Sequence, residues 1–308
     1  MTQPFQCVAY LFCHSEAGLP KLRFDIVTHV NYAFAIPTRD GHVRPLENPE
    51  LARAVVSKAH ANGRSACLSL GGWSYEEVPL EAIFREATDT PEKAAALADE
   101  ICAMAAAFGF DGVDVDWEYP HVSDGTKAQY ESFIALLHDR LKPQGKLLTA
   151  AVIGGVDAAG APIRDVTEAQ DAPSFDKLDW LNIMAYDCDD TKHSSYEFAR
   201  QCTEYWVKER GFEPAKLTLG LPFYGRPAPG AYRLLLDTDP DALDKDMVTL
   251  PDGREVWYNG RDTLHRKVAL AREHRLGGVM LWEISEDCAD PGKSLLTVLG
   301  RAMAERQP

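Results

Sequence analysis

The stretch DGVDVDWEYP, residues 111–120, places an acidic side chain at every second position of a short apolar segment. Side chains alternate between the two faces of a β-strand, so Asp114, Asp116 and Glu118 leave the strand on one face. In a parallel sheet both faces are normally buried, and a strand then reads as a nearly continuous apolar run. Three carboxylates on one buried face are costly, and this carboxylate ladder therefore predicts a functional site.

Seven other segments of strand length accompany the ladder, and nearly every one is followed by a helical pattern or by a loop long enough to hold a helix. The predicted strands cover residues 6–12, 29–35, 66–71, 112–118, 147–152, 180–186, 217–222 and 278–283. Alternating strands and helices favour a parallel sheet, and eight units favour its closure into a barrel. An open, doubly wound sheet is the alternative, but the first strand is not followed by a G-x-G-x-x-G phosphate loop. We predict an α/β fold, a TIM (β/α)8 barrel formed by a single domain over residues 1–308.

The segments between the strands differ in how clearly they predict helices. Thr90 and Pro91 form a cap and first-turn pair ahead of EKAAALADEICAMAAAF, and TLHRKVALAREHRLGG and KSLLTVLGRAMAER are also helical in pattern. Ala158–Ser174 is rich in Ala, Pro and Asp, and it predicts an irregular loop. We expect residues 226–260 to form an elaborated loop after the seventh strand, too short to be an independent domain.

Composition and charge restrict the partners. Acidic residues exceed basic ones by 47 − 32 = 15, so the electrostatic field of the chain repels polyanions such as nucleic acid. The longest apolar run, residues 101–110, falls well short of the roughly twenty residues that span a bilayer. We expect neither a nucleic-acid nor a membrane partner, a neutral or cationic substrate, and a monomer.

The cysteines and the N-terminus bear on the cellular environment. Seven cysteines form an odd set with no C-x-x-C pair, which argues against a disulfide framework and a zinc site. We expect most of them to be small buried residues. The segment MTQPFQCVAYLFCH has no cationic region ahead of a long apolar one, so no secretory signal is predicted. We expect a cytoplasmic protein unless a signal stood ahead of this sequence.

The ladder suggests a division of roles. Closely spaced carboxylates cannot all ionise at low cost, so at least one should hold a proton near neutral pH, as a general acid must. Glu118 is last on the strand, at the end where barrels carry their chemistry, and we predict that it is this acid. Asp116, one step deeper, is placed to share a proton with Glu118 and to orient a polar substrate group. Asp114 is the buried electrostatic partner.

Two other interpretations of the ladder remain open. An ordinary amphipathic strand would keep its acids in water, but the segments NYAFA, ACLSLGG and LNIMAY look buried throughout. Clustered carboxylates also attract hard divalent cations, although no other strand end shows a matching set of acids or histidines. We expect no metal and no cofactor.

Several motifs, in order along the chain, resemble glycoside hydrolase family 18, the chitinase family. Its strand signature D-x-x-D-x-D-x-E is met by residues 111–118. The segment SLGGW (Ser69–Trp73) is similar to the family's S-x-G-G on strand three, and MAYD (Met184–Asp187) to its M-x-Y-D on strand six. GGVMLWEISED supplies Trp282 on strand eight, and GLPFYGR after strand seven is also similar. The likeness spans nearly the whole chain.

The resemblance implies a substrate-assisted reaction, in which the acetamido group of the substrate is the nucleophile and a single protein acid suffices. It implies that Glu118 protonates the leaving oxygen. Asp116 would orient the N-acetyl group and stabilise the oxazolinium ion that forms. Tyr186 would donate its hydroxyl to the acetamide oxygen and hold it near the anomeric carbon.

The resemblance also implies a set of sugar-binding residues. Trp282 would form an apolar floor under the sugar that distorts, and Asp187 would bind the sugar from the position after Tyr186. Without the resemblance, an aromatic residue in a buried strand is more often core than ligand contact. The predicted substrate-binding residues are Tyr10, Phe34, Gly72, Trp73, Tyr119, Met184, Asp187, Tyr224, Arg226 and Trp282.

Three functions are compatible with these residues. The favoured one is a retaining glycoside hydrolase that cleaves β-1,4 bonds in chitin or chitooligosaccharides, since DWEYP is typical of chitinases. An endo-β-N-acetylglucosaminidase acting on N-glycans or cell-wall glycan would use the same chemistry. A chitin-binding lectin on an inactive barrel is the third, but lectin-like relatives typically lose the acid. The loop at 226–260 is shorter than the subdomain of deep-cleft chitinases and predicts a shallower, open groove.

Overall fold

In the computed structural model, which describes residues 5–228 and 230–305, eight parallel strands close into a barrel. The barrel strands are β1 (Gln6–Phe12), β2 (His29–Ala35), β3 (Ser65–Gly72), β4 (Gly112–Trp117), β5 (Leu147–Ile153), β6 (Trp180–Met184), β7 (Leu217–Pro222) and β8 (Gly278–Trp282). Strands that follow one another in the sequence are neighbours in the barrel, and β1 pairs with β8 to close it. The predicted TIM barrel is confirmed.

Helices fill most of the connections between the strands. They are α1 (Pro49–Ala61), α2 (Leu80–Ala87), α3 (Pro91–Phe108), α4 (Thr126–Leu141), α5 (Arg164–Thr167), α6 (Ala172–Phe175), α7 (Tyr196–Glu204), α8 (Tyr232–Thr238), α9 (Arg261–Glu273) and α10 (Leu295–Ala304). Helix α3 begins as predicted, because Thr90 Oγ1 accepts a hydrogen bond from Lys93 N at 3.3 Å. Residues 1–4 of the N-terminal segment and Arg306 of the last helical pattern lie outside the described residues. Among those described, no helix has both the length and the hydrophobicity to cross a bilayer.

The two faces of β4 explain how the ladder is accommodated. Trp117 points to the helical layer, where its ring stacks on Phe84 of α2 with centroids 4.9 Å apart. The register places Asp114 beside Ser69 of β3, and both side chains are fully buried. Asp116 is only 4% exposed. The alternative of an amphipathic strand with its acids in water is therefore wrong.

The region predicted as an irregular loop, Ala158–Ser174, contains two one-turn helices. Helix α5 lies within it, and α6 begins near its end. Thr167 at the end of α5 packs its hydroxyl 2.6 Å from the hydroxyl of Tyr205. The prediction missed these turns because tertiary contacts outweigh the local propensity of such short segments.

The connection after β7 folds back on itself as an elaborated loop, as predicted for residues 226–260. It contains α8 and a two-stranded antiparallel hairpin, Met247–Thr249 with Glu255–Trp257. An isolated bridge between Arg226 and Trp257 ties the hairpin to the start of the loop. The insertion therefore forms a compact wall beside the barrel.

All seven cysteines have free thiols. Cys7, Cys13, Cys67 and Cys202 are buried, and the other three are partly buried. Burial raises the pKa of Cys7 to about 12, so this thiol stays protonated and unreactive. The cysteines thus act mainly as small buried residues.

Candidate active site

A cleft of about 1060 Å³ opens at the carboxyl ends of the barrel strands. It is lined by Tyr10, Phe34, Trp73, Asp116, Glu118, Tyr119, Met184, Tyr186, Asp187, Tyr224, Arg226 and Trp282 from the predicted set. Of the predicted residues, only Asp114 and Gly72 are not part of its lining. Residues from β1, β2, β4, β6, β8 and the β7 insertion, distant in sequence, therefore meet in one place.

Asp114 lies beneath the cleft and is saturated with hydrogen bonds. Its Oδ2 accepts from the hydroxyls of Tyr10 at 2.7 Å and Ser69 at 2.8 Å. Its Oδ1 accepts from Thr149 Oγ1 at 2.6 Å and from Asn182 Nδ2 at 3.2 Å. Burial raises the pKa of Asp114, while these donors act in the opposite direction. Asp114 therefore acts on the cleft through its charge, without contacting a ligand.

Asp116 lies above it and has an unpaired oxygen. Asp116 Oδ1 is buried and accepts no hydrogen bond from any of residues 5–228 and 230–305. Burial raises the pKa of Asp116 well above its ordinary value, and the charges of Glu118 and Asp114 raise it further. A buried acceptor without a donor is costly, and native proteins rarely keep one without a reason. The position of this oxygen in the cleft suits a donor supplied by a ligand.

Glu118 is held at the top of the ladder by its chain neighbour. The hydroxyl of Tyr119 donates to Glu118 Oε2 at 2.9 Å, and no hydrogen bond joins Glu118 to Asp116 in the described part of the chain. Burial raises the pKa of Glu118 to about 7, the Tyr119 hydrogen bond opposes the rise, and the charge of Asp187 adds to it. The charge of Glu118 raises the pKa of Asp116, and the sharing of a proton between the two carboxyl groups stays a prediction. A carboxyl group with this pKa holds a proton in much of the population at neutral pH, which general acid catalysis requires.

The floor of the cleft is a cluster of aromatic rings around Trp282. Its ring stacks on Phe34 with centroids 5.6 Å apart and meets Tyr10 edge-on at 5.5 Å. The ring of Phe12, a residue that the sequence analysis missed, has its centroid 6.4 Å from that of Trp282. Gly72 has a φ of +95°, and a Cβ atom there would lie 2.7 Å from the Phe34 ring. Gly72 thus supports the floor by leaving room for Phe34.

The hydroxyl group of Tyr186 is paired with a weak hydrogen-bond acceptor. Its hydroxyl contacts Met280 Sδ at 3.8 Å, and a thioether is a weak acceptor. Burial raises the pKa of Tyr186 well above its ordinary value, and the charges of Tyr224, Asp116 and Glu118 raise it further. The Tyr186 hydroxyl therefore stays protonated and can donate a hydrogen bond to a ligand in the cleft.

Asp187 is anchored in the cleft wall by three side chains. Tyr224 donates to its Oδ2 at 2.7 Å, and Arg226 binds both of its oxygens at 2.9 Å. His193 Nδ1 lies 3.0 Å from its Oδ1. Burial alone would raise the pKa of Asp187, but these hydrogen bonds outweigh it and hold the pKa well below its ordinary value. The sequence analysis missed His193, because the polar segment around it carries no periodic signal.

Comparison with known sequences identifies a family pattern over most of the chain. The family model for glycosyl hydrolases family 18 matches residues 7–287. A chitinase-like effector from Moniliophthora roreri is 32% identical over 238 residues, which are 67% of this chain and 54% of that protein. The chain thus spans about half the length of this relative.

Solved structures give the same picture. The GH18 chitinase ChiB from the chitin utilization locus of Flavobacterium johnsoniae superposes with a TM-score of 0.79 at 29% identity, over 98% of this chain and 94% of that one. A chitinase-like agglutinin from Robinia pseudoacacia superposes with a TM-score of 0.79 at 21% identity, over 96% of this chain and 99% of that one. The second likeness concerns the fold alone, since proteins of one fold can differ in function.

Proposed function

Because the chain belongs to glycosyl hydrolase family 18, we propose that it is a retaining hydrolase that cleaves β-1,4 bonds of chitin or chitooligosaccharides by substrate-assisted catalysis. Residues 1–308 would act as one catalytic barrel. The observation that carries the proposal is the unpaired, buried oxygen of Asp116 next to Glu118, whose pKa burial raises to about 7. An N-acetylglucosamine unit offers a partner for each.

The acetamido group of such a sugar fits the free polar groups of the cleft. Its N–H can donate to Asp116 Oδ1, which lacks a donor among the described residues, and its carbonyl oxygen can accept from the Tyr186 hydroxyl. Both contacts would turn the carbonyl oxygen toward the anomeric carbon. An intramolecular nucleophile held in this way gains a large entropic advantage over one from solution.

The reaction then needs one proton donor. Glu118 gives its proton to the glycosidic oxygen as the bond to the anomeric carbon breaks, and the carbonyl oxygen forms the new bond, which yields an oxazolinium ion. Asp116 stabilises the positive charge of this ion. Water then attacks the anomeric carbon and passes a proton to Glu118, which restores the acid, while the bond from the carbonyl oxygen to the anomeric carbon breaks and the acetamido group is regenerated. Two inversions at one carbon give overall retention.

The walls of the cleft suit a neutral sugar chain. Trp282 offers the floor described above, and Trp73 leaves 63% of its surface exposed at the cleft rim. An exposed indole ring at the rim of a cleft offers a flat apolar face against which a sugar ring can pack. The excess of acidic residues disfavours anionic polymers. The β7 insertion is short, and we expect it to leave the groove open to internal cleavage or to short oligomers.

Mass-spectrometric product analysis tests the proposal directly. Chitohexaose and a high-mannose glycopeptide are incubated in parallel with the protein, and we expect shorter chitooligosaccharides from the first and an intact second substrate. Cleavage of the glycopeptide alone would assign the protein as an endo-β-N-acetylglucosaminidase. Binding of chitohexaose without any products would indicate a lectin and overturn the proposal.

The hydrogen bond from Tyr119 to Glu118 predicts a shift in pH dependence. In the wild type, kcat/KM should fall as the pH rises through about 7, because Glu118 then loses its proton. Tyr119→Phe removes a donor that stabilises the ionised carboxylate, so the pKa of Glu118 rises and the alkaline limb moves to higher pH. The measurement is kcat/KM on a chromogenic chitobioside between pH 4 and 10.

Tyr196→Phe on α7, outside the cleft lining, is the matched control and should keep the wild-type profile. A limb that stays in place or moves to lower pH in Tyr119→Phe would contradict the assignment.

A further inference from the structure

Lys267 on α9 is completely buried, yet none of the steps proposed above uses it. Its Nζ donates to the carbonyl oxygen of Ser194 at 2.5 Å and to Asn259 Oδ1 at 2.6 Å. Lysine is almost never fully buried without a partner, and both acceptors here are uncharged. Burial lowers the pKa of Lys267 to about 7. Both hydrogen bonds survive the loss of the proton, because a neutral amine still carries two N–H groups.

The lysine fixes the orientation of the next two side chains. Lys267 donates to Asn259 Oδ1, which leaves the Nδ2 of Asn259 facing Ser194. Asn259 Nδ2 lies 3.1 Å from Ser194 Oγ and 3.0 Å from the Ser194 carbonyl oxygen, and donates to both. The hydroxyl of Ser194 accepts this bond, so its own hydrogen is free for another acceptor.

His193, whose ring is completely buried, can be that acceptor. Ser194 Oγ lies 3.5 Å from His193 Nε2, at the limit of a hydrogen bond. A ring that accepts at Nε2 carries its proton on Nδ1, and Nδ1 lies 3.0 Å from Asp187 Oδ1. Asp187 is a carboxylate and can only accept. A ring protonated at Nδ1 can thus donate to Asp187 while its bare Nε2 atom accepts from Ser194, which gives all the hydrogen bonds from Lys267 to Asp187 one direction.

One contact competes with this direction. The backbone nitrogen of Asp187 lies 3.3 Å from the same Nδ1 atom of His193, and it could donate to Nδ1 if the ring proton sat on Nε2. The bare Nδ1 atom would then face the Asp187 carboxylate at 3.0 Å with its lone pair. A hydrogen bond to a charged oxygen at the shorter distance is the stronger of the two. The geometry therefore favours the proton on Nδ1.

We infer that Lys267, Asn259, Ser194 and His193 form a directional hydrogen-bond relay that positions Asp187 in the cleft. The relay joins α9, the end of the β7 insertion and the loop after β6. His193 is the positioning residue that contacts Asp187, and Lys267 sets the direction from a buried site. The consequence for catalysis rests on the proposed function, since it assumes that Asp187 binds the sugar chain.

Nuclear magnetic resonance of 15N-labelled histidine tests the relay without any substrate. His193 is assigned by the signal that disappears in His193→Asn, and we expect a proton on Nδ1 and none on Nε2 in the wild type. Asn259→Asp keeps an oxygen for Lys267 but has no donor for Ser194, and it should move the ring toward the Nε2-protonated form. Lys267→Met should do the same by freeing the Asn259 amide to turn.

Lys192→Met is the control. It removes an exposed cation that precedes His193 in the sequence and stacks on Trp257, and it should leave the ring unchanged. An Nε2-protonated ring in the wild type, or folded variants with unchanged rings, would overturn the inference.

Kinetics then test whether the relay matters for the cleft. The amide nitrogen of an asparagine stands near the place of Nδ1, so His193→Asn keeps the donor for Asp187, whereas His193→Gln places its amide toward Ser194 and loses it. We expect kcat/KM on chitooligosaccharides to fall about tenfold in His193→Gln, mainly through KM, and to recover within about threefold of wild type in His193→Asn. Equal losses in both variants would reduce His193 to a packing role. A wild-type protein without hydrolysis would refute the proposed function and leave the resonance result standing.

Discussion

Replacing Glu118 by glutamine is expected to lower kcat on chitooligosaccharides by about 10² to 10⁴-fold, the usual contribution of general acid catalysis. The amide is nearly the same size as the acid but has no proton to give at neutral pH. The Tyr119 hydroxyl can still donate to the amide oxygen, so the side chain should keep its place. Oligosaccharide affinity, measured by isothermal titration calorimetry, should therefore remain within a few-fold of the wild type.

Glu286→Gln provides the matched control for this experiment. Glu286 lines the same cleft and is also partly buried, and burial raises its pKa. It follows β8, whereas Glu118 follows β4. The same chemical change there should leave kcat nearly unaltered. Normal turnover by Glu118→Gln, or an equal loss in both variants, would remove Glu118 from its proposed role.

The second large effect concerns the substrate. A chromogenic chitobioside and the corresponding cellobioside differ at carbon 2, where the first carries an acetamido group and the second a hydroxyl. Well-oriented intramolecular nucleophiles reach effective concentrations of about 10⁵ to 10⁸ M, so losing the acetamido group should lower kcat/KM by at least about 10⁴-fold. We expect no cellobioside hydrolysis above the background of the Glu118→Gln protein.

This comparison also tests the part assigned to Asp116. If the cellobioside were cleaved at a comparable rate, a protein carboxylate would have to serve as nucleophile, as in glycosidases with two catalytic acids. Asp116 would be the nearest candidate, and its unpaired oxygen would then face the anomeric carbon itself. Asp116→Asn would abolish that activity as well, whereas the substrate-assisted route predicts that there is none to abolish.

The sequence predicted the barrel well because each strand is short, apolar and separately bounded. The ranges of β1, β2 and β7 agree with the prediction, while β6 ends at Met184, two residues early. The chain turns there, and Asp187 adopts a φ of +59°, a conformation outside the strand region. Strand ends depend on where the neighbouring strand stops pairing, and single-strand patterns do not contain that information.

The candidate site was predictable to the extent that it is periodic or resembles a family motif. The ladder of Asp114, Asp116 and Glu118 follows from alternation alone, and the resemblance supplied Tyr186. The anchoring of Asp187 by His193 and by an arginine 39 residues away could not be predicted, because it depends on contacts between separate loops. That no described residue donates a hydrogen bond to the Asp116 oxygen is equally a property of the folded neighbourhood.

The burial of Lys267 makes the stability of the folded protein depend on pH. Its pKa is about 7 in the folded protein against 10.5 ordinarily, so the unfolded chain binds more protons between these values and the folded state gains stability as the solution becomes more alkaline. Glu118 behaves in the opposite sense, because a pKa raised from 4.5 to about 7 makes the folded chain the better proton acceptor in mildly acidic solution. The contribution of Glu118 to the free energy of unfolding is therefore present in acid and is lost as the pH approaches neutrality. The acidic range that keeps Glu118 protonated for hydrolysis thus retains the full cost of burying Lys267 in its charged form, together with the stabilisation that Glu118 contributes.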